Sequence, residues 1–155
     1  MKRRHILWIG LFLYVASFFL IAVVNLEPFR FGIRGYSCAN STLLAPWDED
    51  ARRLGWMRFK DPEYIPMLIS GWINPAFLIA LAFASSVRFH RVFSILRTVL
   101  IVMFPFCWVV FRYEDLRPRE GHFVWIVGML LALFSKELAA RVSSSRAAAQ
   151  GLALI

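Results

Sequence analysis

From Ile6 to Leu26 the chain runs without a single charged side chain, and Met67 to Val87 repeats that pattern at the same length. A helix needs about 20 apolar residues to cross ~30 Å of hydrocarbon, so two such runs confine the chain to folds that place helices in a bilayer. A third run, Val92 to Phe111, is almost as long and holds one charge, Arg97, near enough to the basic turn at Arg88 and Arg91 to reach back to the headgroups. The fourth, His122 to Ser135, is the shortest. At ~1.5 Å per residue it reaches about 21 Å, and extension through Lys136 to Leu138 makes it a short span in a packed bundle.

Composition agrees with this reading. With 59% hydrophobic and 18% charged residues, against roughly 45–50% and about 25% in soluble domains, the chain lacks the polar surface that water requires. The same numbers exclude a disordered chain, and two cysteines exclude a disulfide scaffold. A net charge of +8 would suit a nucleic acid if the basic residues formed a ridge interleaved with aromatics. They sit instead at the ends of apolar runs, so nucleic acid is not an expected partner and the lipid bilayer is.

Those basic clusters orient the chain. Lys2, Arg3 and Arg4, then Arg88 and Arg91, then Lys136, Arg141 and Arg146 mark three cytoplasmic segments, whereas 27–64 balances six basic against six acidic residues and 112–121 balances three against three. The first run is too long for the apolar core of a signal peptide and reads as an uncleaved anchor. The expectation is an all-α, polytopic integral membrane protein with four transmembrane helices at 6–26, 67–87, 92–111 and 122–138, and both termini cytoplasmic. It would lie in an inner membrane, with one domain over 1–140, a structured external loop at 27–64 and a cytoplasmic tail at 141–155 that is a frayed helix or disordered.

The external face holds two candidate features. Pro46 to Gly55 has the proline, acidic start, basic end and glycine stop of a short helix, and Trp47, Trp56 and Phe59 would lay it on the outer headgroup layer, first as a cap over the bundle and second as a docking surface or ligand-binding lid. The segment Arg112 to His122 packs seven potentially charged side chains into eleven residues, including Arg112, Glu114, Asp115, Glu120 and His122. Such a cluster suits an ion-paired loop lock. His122 beside Glu120 is the place for proton transfer, because imidazole changes charge near neutral pH. His5 and His90 fall at the opposite side of the bilayer, so no metal site and no cofactor is expected.

Inside the bundle, Ser70-Gly-Trp-Ile-Asn-Pro combines a helix-interrupting Pro75 with Asn74, which carries both donor and acceptor beside the freed carbonyl. Pro105 lies at a comparable depth in the third span; the two prolines read first as packing kinks, with Asn74 satisfying the freed carbonyl, and second as helix interruptions that line a cavity or pathway. Ala76, Ala80 and Ala84 form a stripe of small residues, and Gly128 with Ala132 a shorter one, for close helix packing within the chain or with another membrane protein or a second copy. Cys38 and Cys107 could meet only if the external loop folded back into the bundle, and two free thiols are expected.

The four apolar runs contain no Asp, Glu or Lys, which speaks against an ion-coupled pump, and there is no nucleotide loop, catalytic triad or zinc spacing. The residues therefore point to binding rather than catalysis. The first expectation is an accessory, assembly or partner-recognition protein acting through its helix faces and Trp-rich loop. The alternative is a small transporter, channel or lipid-handling protein with its site between helices two and three, and an enzyme using Glu120 and His122 comes third.

Overall fold

The computed structural model describes residues 2–25, 32–44, 60, 62, 64–84 and 88–152. In chain order these form α1 (Arg3–Ser17), β1 (Ile21–Asn25), β2 (Gly32–Arg34), α2 (Gly35–Leu44), α3 (Tyr64–Ala84), α4 (His90–Tyr113), β3 (Leu116–Pro118), α5 (Glu120–Leu133) and α6 (Ser135–Leu152). The fold is mostly helical. Two helices, α3 and α4, are long and apolar enough to cross a membrane, and α5 with α6 counts as a third if that bent pair is one span. The expected spans at 67–87 and 92–111 correspond to these two helices, α3 beginning at Tyr64, just ahead of its apolar run.

The first apolar run departs from expectation. Its helix stops at Ser17, where the Ser17 hydroxyl donates to the Tyr14 carbonyl at 2.6 Å and the next three amides bond three residues back in a tightened final turn. Ile21, Val23 and Val24 follow, and their branched side chains favour an extended backbone. The strand they form is the centre of a three-stranded antiparallel sheet in the order β2-β1-β3, with Val24 opposite Gly32 on one side and Arg117 on the other. Hydropathy cannot tell a buried central strand from the end of a helix, and the all-α expectation is corrected by this small sheet. The 27–64 segment, expected as an external loop, supplies β2 and α2 where it is described. The helix expected over 46–55, with Trp47, Trp56 and Phe59, lies outside the described residues.

Two antiparallel helix pairs make the bundle. α3 and α4 are consecutive and pack along their length, whereas α1 lies against α5 through glycines. A Cβ on Gly128 would sit 2.5 Å from the Tyr14 amide nitrogen, and one on Gly10 would sit 2.7 Å from the Ala132 nitrogen, so the two backbones touch where side chains would separate them. The core between the pairs comprises Tyr14, Ile73, Phe77, Ala80, Leu100, Cys107, Met129, Ala132 and Leu133. Ala76 packs against this core and Ala80 is wholly inside it, so the small-residue stripe of α3 is turned toward the chain's own interior. The outward faces remain apolar, with Phe12, Phe19, Ile95 and Val102 exposed, as expected of helices solvated by lipid.

The two ends of the bundle differ. At one end the Arg3 guanidinium donates to the Ala84 carbonyl at 2.8 Å, which brings the start of α1 to the end of α3 and gathers the basic N-terminus and the Arg88–Arg91 turn together. At that end α5 also stops, and the chain bends by 74° into α6. Lys136 to Leu138 therefore lie beyond the bend, in α6. Arg97, expected to snorkel, instead pairs with Glu137 just past the bend, and its guanidinium lies 4.8 Å from the Phe134 ring centroid. The tail is helical through Leu152. The other end carries the sheet and α2.

Because the α1–α5 contact leaves no room for a methyl group, Gly128→Ala should cost about 1–3 kcal/mol despite the better helix propensity of alanine. Thermal unfolding of the detergent-solubilised variant checks this, and an unchanged midpoint would refute the contact.

Candidate functional site

Asn74 lies in the third turn of α3 and joins three helices. Its Oδ1 accepts from the Tyr14 hydroxyl of α1 at 3.2 Å and from the Trp125 indole N–H of α5 at 2.9 Å. An amide oxygen has two lone pairs, and both are engaged. Phe104 of α4 packs edge-on against Trp125 with centroids 5.7 Å apart, so the fourth helix braces the same indole. One turn before Asn74, a Cβ on Gly71 would meet the Thr42 carbonyl carbon at 2.8 Å, so glycine lets the end of α2 press directly onto α3. The Gly-Trp-Ile-Asn-Pro sequence thus serves two contacts a turn apart, a close backbone approach and a polar junction.

Around this junction lies a cavity of about 80 Å³. Its walls are formed by Ser17 and Phe18 at the end of α1, Ala22 and Val23 of β1, Cys38, Ala39 and Thr42 of α2, Ser70 and Asn74 of α3, Cys107 and Phe111 of α4, and His122 with Trp125 of α5. The hydroxyls of Ser17, Ser70 and Thr42 donate to backbone carbonyls within their own helices, at 2.6, 2.9 and 2.9 Å, leaving oxygen lone pairs as acceptors. No Asp, Glu, Lys or Arg lines the wall among the described residues.

His122 is the exception to this local satisfaction. It is 5% exposed, and its Nε2 is the one buried side-chain polar atom without a hydrogen-bond partner among the described residues. Its ring stacks on Trp125 at 5.5 Å and meets Phe111 edge-on at 4.7 Å, with Trp108 and Phe123 completing an aromatic surround. The backbone explains its position. The Arg119 amide donates to the Ala22 carbonyl at 2.8 Å, and a Cβ on Gly121 would lie 2.7 Å from the Ile21 oxygen, so β1 rests on the first turn of α5 and turns His122 inward.

Of the residues singled out from sequence, Ser70, Asn74 and His122 meet in the cavity wall. Pro75 and Pro105 lie within α3 and α4 but outside that wall. Arg112, Glu114, Asp115 and Glu120 are exposed on the turn between α4 and α5, where Asp115 takes a left-handed conformation (φ 47°) that a short polar side chain tolerates. Glu120 pairs with Arg119 at 3.7 Å at the surface, a weak contact, so the structure does not bring a Glu120–His122 acid–base pair together. Ala84 is partly buried at the far end of α3. Tyr14, Thr42 and Trp125 are not legible as site residues in the sequence, since each reads as an interface or core residue until the helices are assembled. Both cysteines line this cavity as free thiols, because the loop does fold back through α2.

Among the described residues no group of three or more His, Cys, Asp or Glu is placed to hold a metal ion. Compared with known protein families, curated proteins and solved structures, the chain matches none.

Two outcomes follow from this geometry. Asn74→Ala leaves a hydroxyl and an indole N–H without their acceptor, at about 1–3 kcal/mol. Tyr14→Phe should destabilise the natural chain but cost almost nothing in the Asn74→Ala background; additive effects in that double-mutant cycle would contradict the junction. Burial pushes the Cys38 thiol from 9.0 up to about 11. At pH 7.5 its thiolate fraction, and so its rate of maleimide modification, should fall about a hundredfold below that of an exposed cysteine and rise steeply with pH; a rate equal to that of a free thiol would show Cys38 to be exposed.

Proposed function

We propose that this chain is a four-span inner-membrane protein that acts by binding, and that it holds a small lipid-phase ligand in the cavity around Asn74 and His122. The observation that carries the reading is a largely apolar pocket with a few polar groups at the convergence of all four bundle helices, with a buried imidazole in its wall that is unpartnered among the described residues. Sites between helices with a few convergent polar groups in an otherwise apolar lining are where membrane-embedded ligands bind. The absence of charged residues from the described wall favours lipid handling over ion transport.

The four-span topology is supported by the sidedness of charge. Arg3, Arg4, Arg88 and Arg91 gather at one end, which is cytoplasmic by the positive-inside rule. α1 and α5, with 15 and 14 residues, are about 22 and 21 Å long. β1 continues α1, and its backbone is paired on both sides by β2 and β3, a way of taking extended chain into a low-dielectric region without orphaned amides. A single cysteine in place of Ser41 should be labelled by an impermeant reagent from outside, and one in place of Ser144 only after permeabilisation; the reverse pattern would overturn the orientation.

The alternative is an accessory, assembly or partner-recognition role, which draws its support from the exposed aromatic side chains of Trp8 and Phe12 on α1 and of Phe19 just beyond it. Purification from the native membrane in mild detergent, with mass determination and lipid extraction, separates the two. A retained lipid on the chain alone supports the binding reading, and its loss in Asn74→Leu with the fold intact assigns it to the cavity. A stoichiometric protein partner and no retained lipid would decide for the accessory role.

A further inference from the structure

We infer that the cavity selects a lipid whose head is an uncharged hydroxyl, a long-chain alcohol or a neutral glyceride, and that His122 Nε2 is the atom that recognises it. The inference rests on the reading of the cavity as a binding site and adds the chemistry of its occupant.

Three observations converge on that head. A volume of about 80 Å³ is about half that of a cavity of ~150 Å³ that takes up benzene, so it suits a small head such as a hydroxymethyl or glycerol end. The described wall carries no ionised residue, so a phosphate or carboxylate would enter without a counter-charge, at a cost that a neutral head avoids. His122 Nε2 is buried and unpartnered, and the hydroxyls of Ser17, Ser70 and Thr42 have spent their protons on backbone carbonyls.

A ligand hydroxyl suits this set better than a carbonyl does. An imidazole nitrogen is a donor or an acceptor according to tautomer, and a hydroxyl satisfies either. Where Nε2 carries the proton, the ligand oxygen accepts from it and the ligand O–H donates to a free lone pair of the Ser70 or Thr42 oxygen, which a carbonyl cannot do. Phe18, Phe111 and Trp125 supply apolar wall for the first carbons of a chain, and the rest of the tail lies along the exposed apolar faces of the bundle, as lipid does.

Three probes with equal chain length isolate the head: oleyl alcohol, oleate and 1-octadecene, each added to the full-length chain in nanodiscs. Protection of Cys38, which lines the cavity, from maleimide at pH 8.5 reports occupancy, and native mass spectrometry counts the bound molecule. Oleyl alcohol should protect at a concentration about tenfold below that of either other probe, the worth of one hydrogen bond to an otherwise orphaned buried group. His122→Leu should erase the preference for alcohol over hydrocarbon, and His122→Gln, which keeps a donor and an acceptor, should restore part of it, with circular dichroism and melting confirming that both variants fold. Oleate protecting as well as the alcohol, or a preference that survives in His122→Leu, would overturn the assignment of the head while leaving the cavity as a ligand site. Failure of all three probes to protect Cys38 would overturn the ligand site itself.

Discussion

The arrangement of the bundle depends on one amide oxygen. Helices in lipid gain little from burying apolar surface against one another, because the lipid tails are as apolar as the side chains they would replace. Rotation and depth have to be set by close packing and by the few polar groups that must find partners. Asn74 Oδ1 does this for three helices, since the Tyr14 hydroxyl and the Trp125 indole N–H both terminate on it. Rotate α1, α3 or α5 about its axis and at least one of these groups loses its partner in a low-dielectric interior. The glycine contacts between α1 and α5 then fix the separation, with Gly10 and Gly128 allowing backbone-to-backbone approach.

The cavity is a consequence of how the end beyond this junction is closed. α1 and α5 stop short, and the chain fills the space with a three-stranded sheet and α2 rather than with more helix. Strands and a short helix laid across helix ends pack less completely than side chains interdigitating along a seam, and the remaining void falls between Asn74 and His122. Gly71 and Gly121 allow α2 and β1 to approach closely, one at each side of the void. The opposite end is closed differently, by the bend after Phe134 and the Arg97–Glu137 pair. Polar satisfaction is therefore asymmetric along the bundle: the basic end is tied by charge, and the sheet end retains an imidazole nitrogen unpaired among the described residues.

Much of the helical architecture is legible because length and charge act almost alone in specifying a span. Met67–Val87 and Val92–Phe111 correspond to α3 and α4, and the basic residues of the N-terminus and the 88–91 turn share one end. Ile6–Leu26 misleads because apolar content has no period: Ile-Ala-Val-Val is as hydrophobic in a strand as in a helix, and what decides is pairing with Gly32–Arg34 and Leu116–Pro118, which are distant in sequence. The sharp bend after Leu133 carries no proline signal, and the Arg97–Glu137 pair beside it joins residues 40 apart in the sequence. In the site, Asn74 stands out because an amide beside a proline inside a span is chemically unusual. His122 stands out as a titratable group at the membrane edge, but the sequence pairs it with Glu120 where the fold gives it an aromatic interior. Trp125 and Tyr14 are hidden because an aromatic on an apolar helix has many uses, and Cys38 because its place depends on α2, whose Gly-Tyr-Ser-Cys start carries no cap or amphipathic period that marks a helix.

His122 Nε2 is thus the open hydrogen-bonding atom of the site, waiting for a partner that the protein does not itself provide among the described residues. The direct test is the ¹⁵N resonance of that nitrogen in the histidine-labelled chain in nanodiscs, assigned by its loss in His122→Leu, before and after addition of oleyl alcohol. The expected result is a shift of the His122 Nε2 signal as a hydrogen bond forms, with the signals of His5 and His90 left in place. A His122 Nε2 resonance unchanged by the alcohol would contradict the role given to this atom.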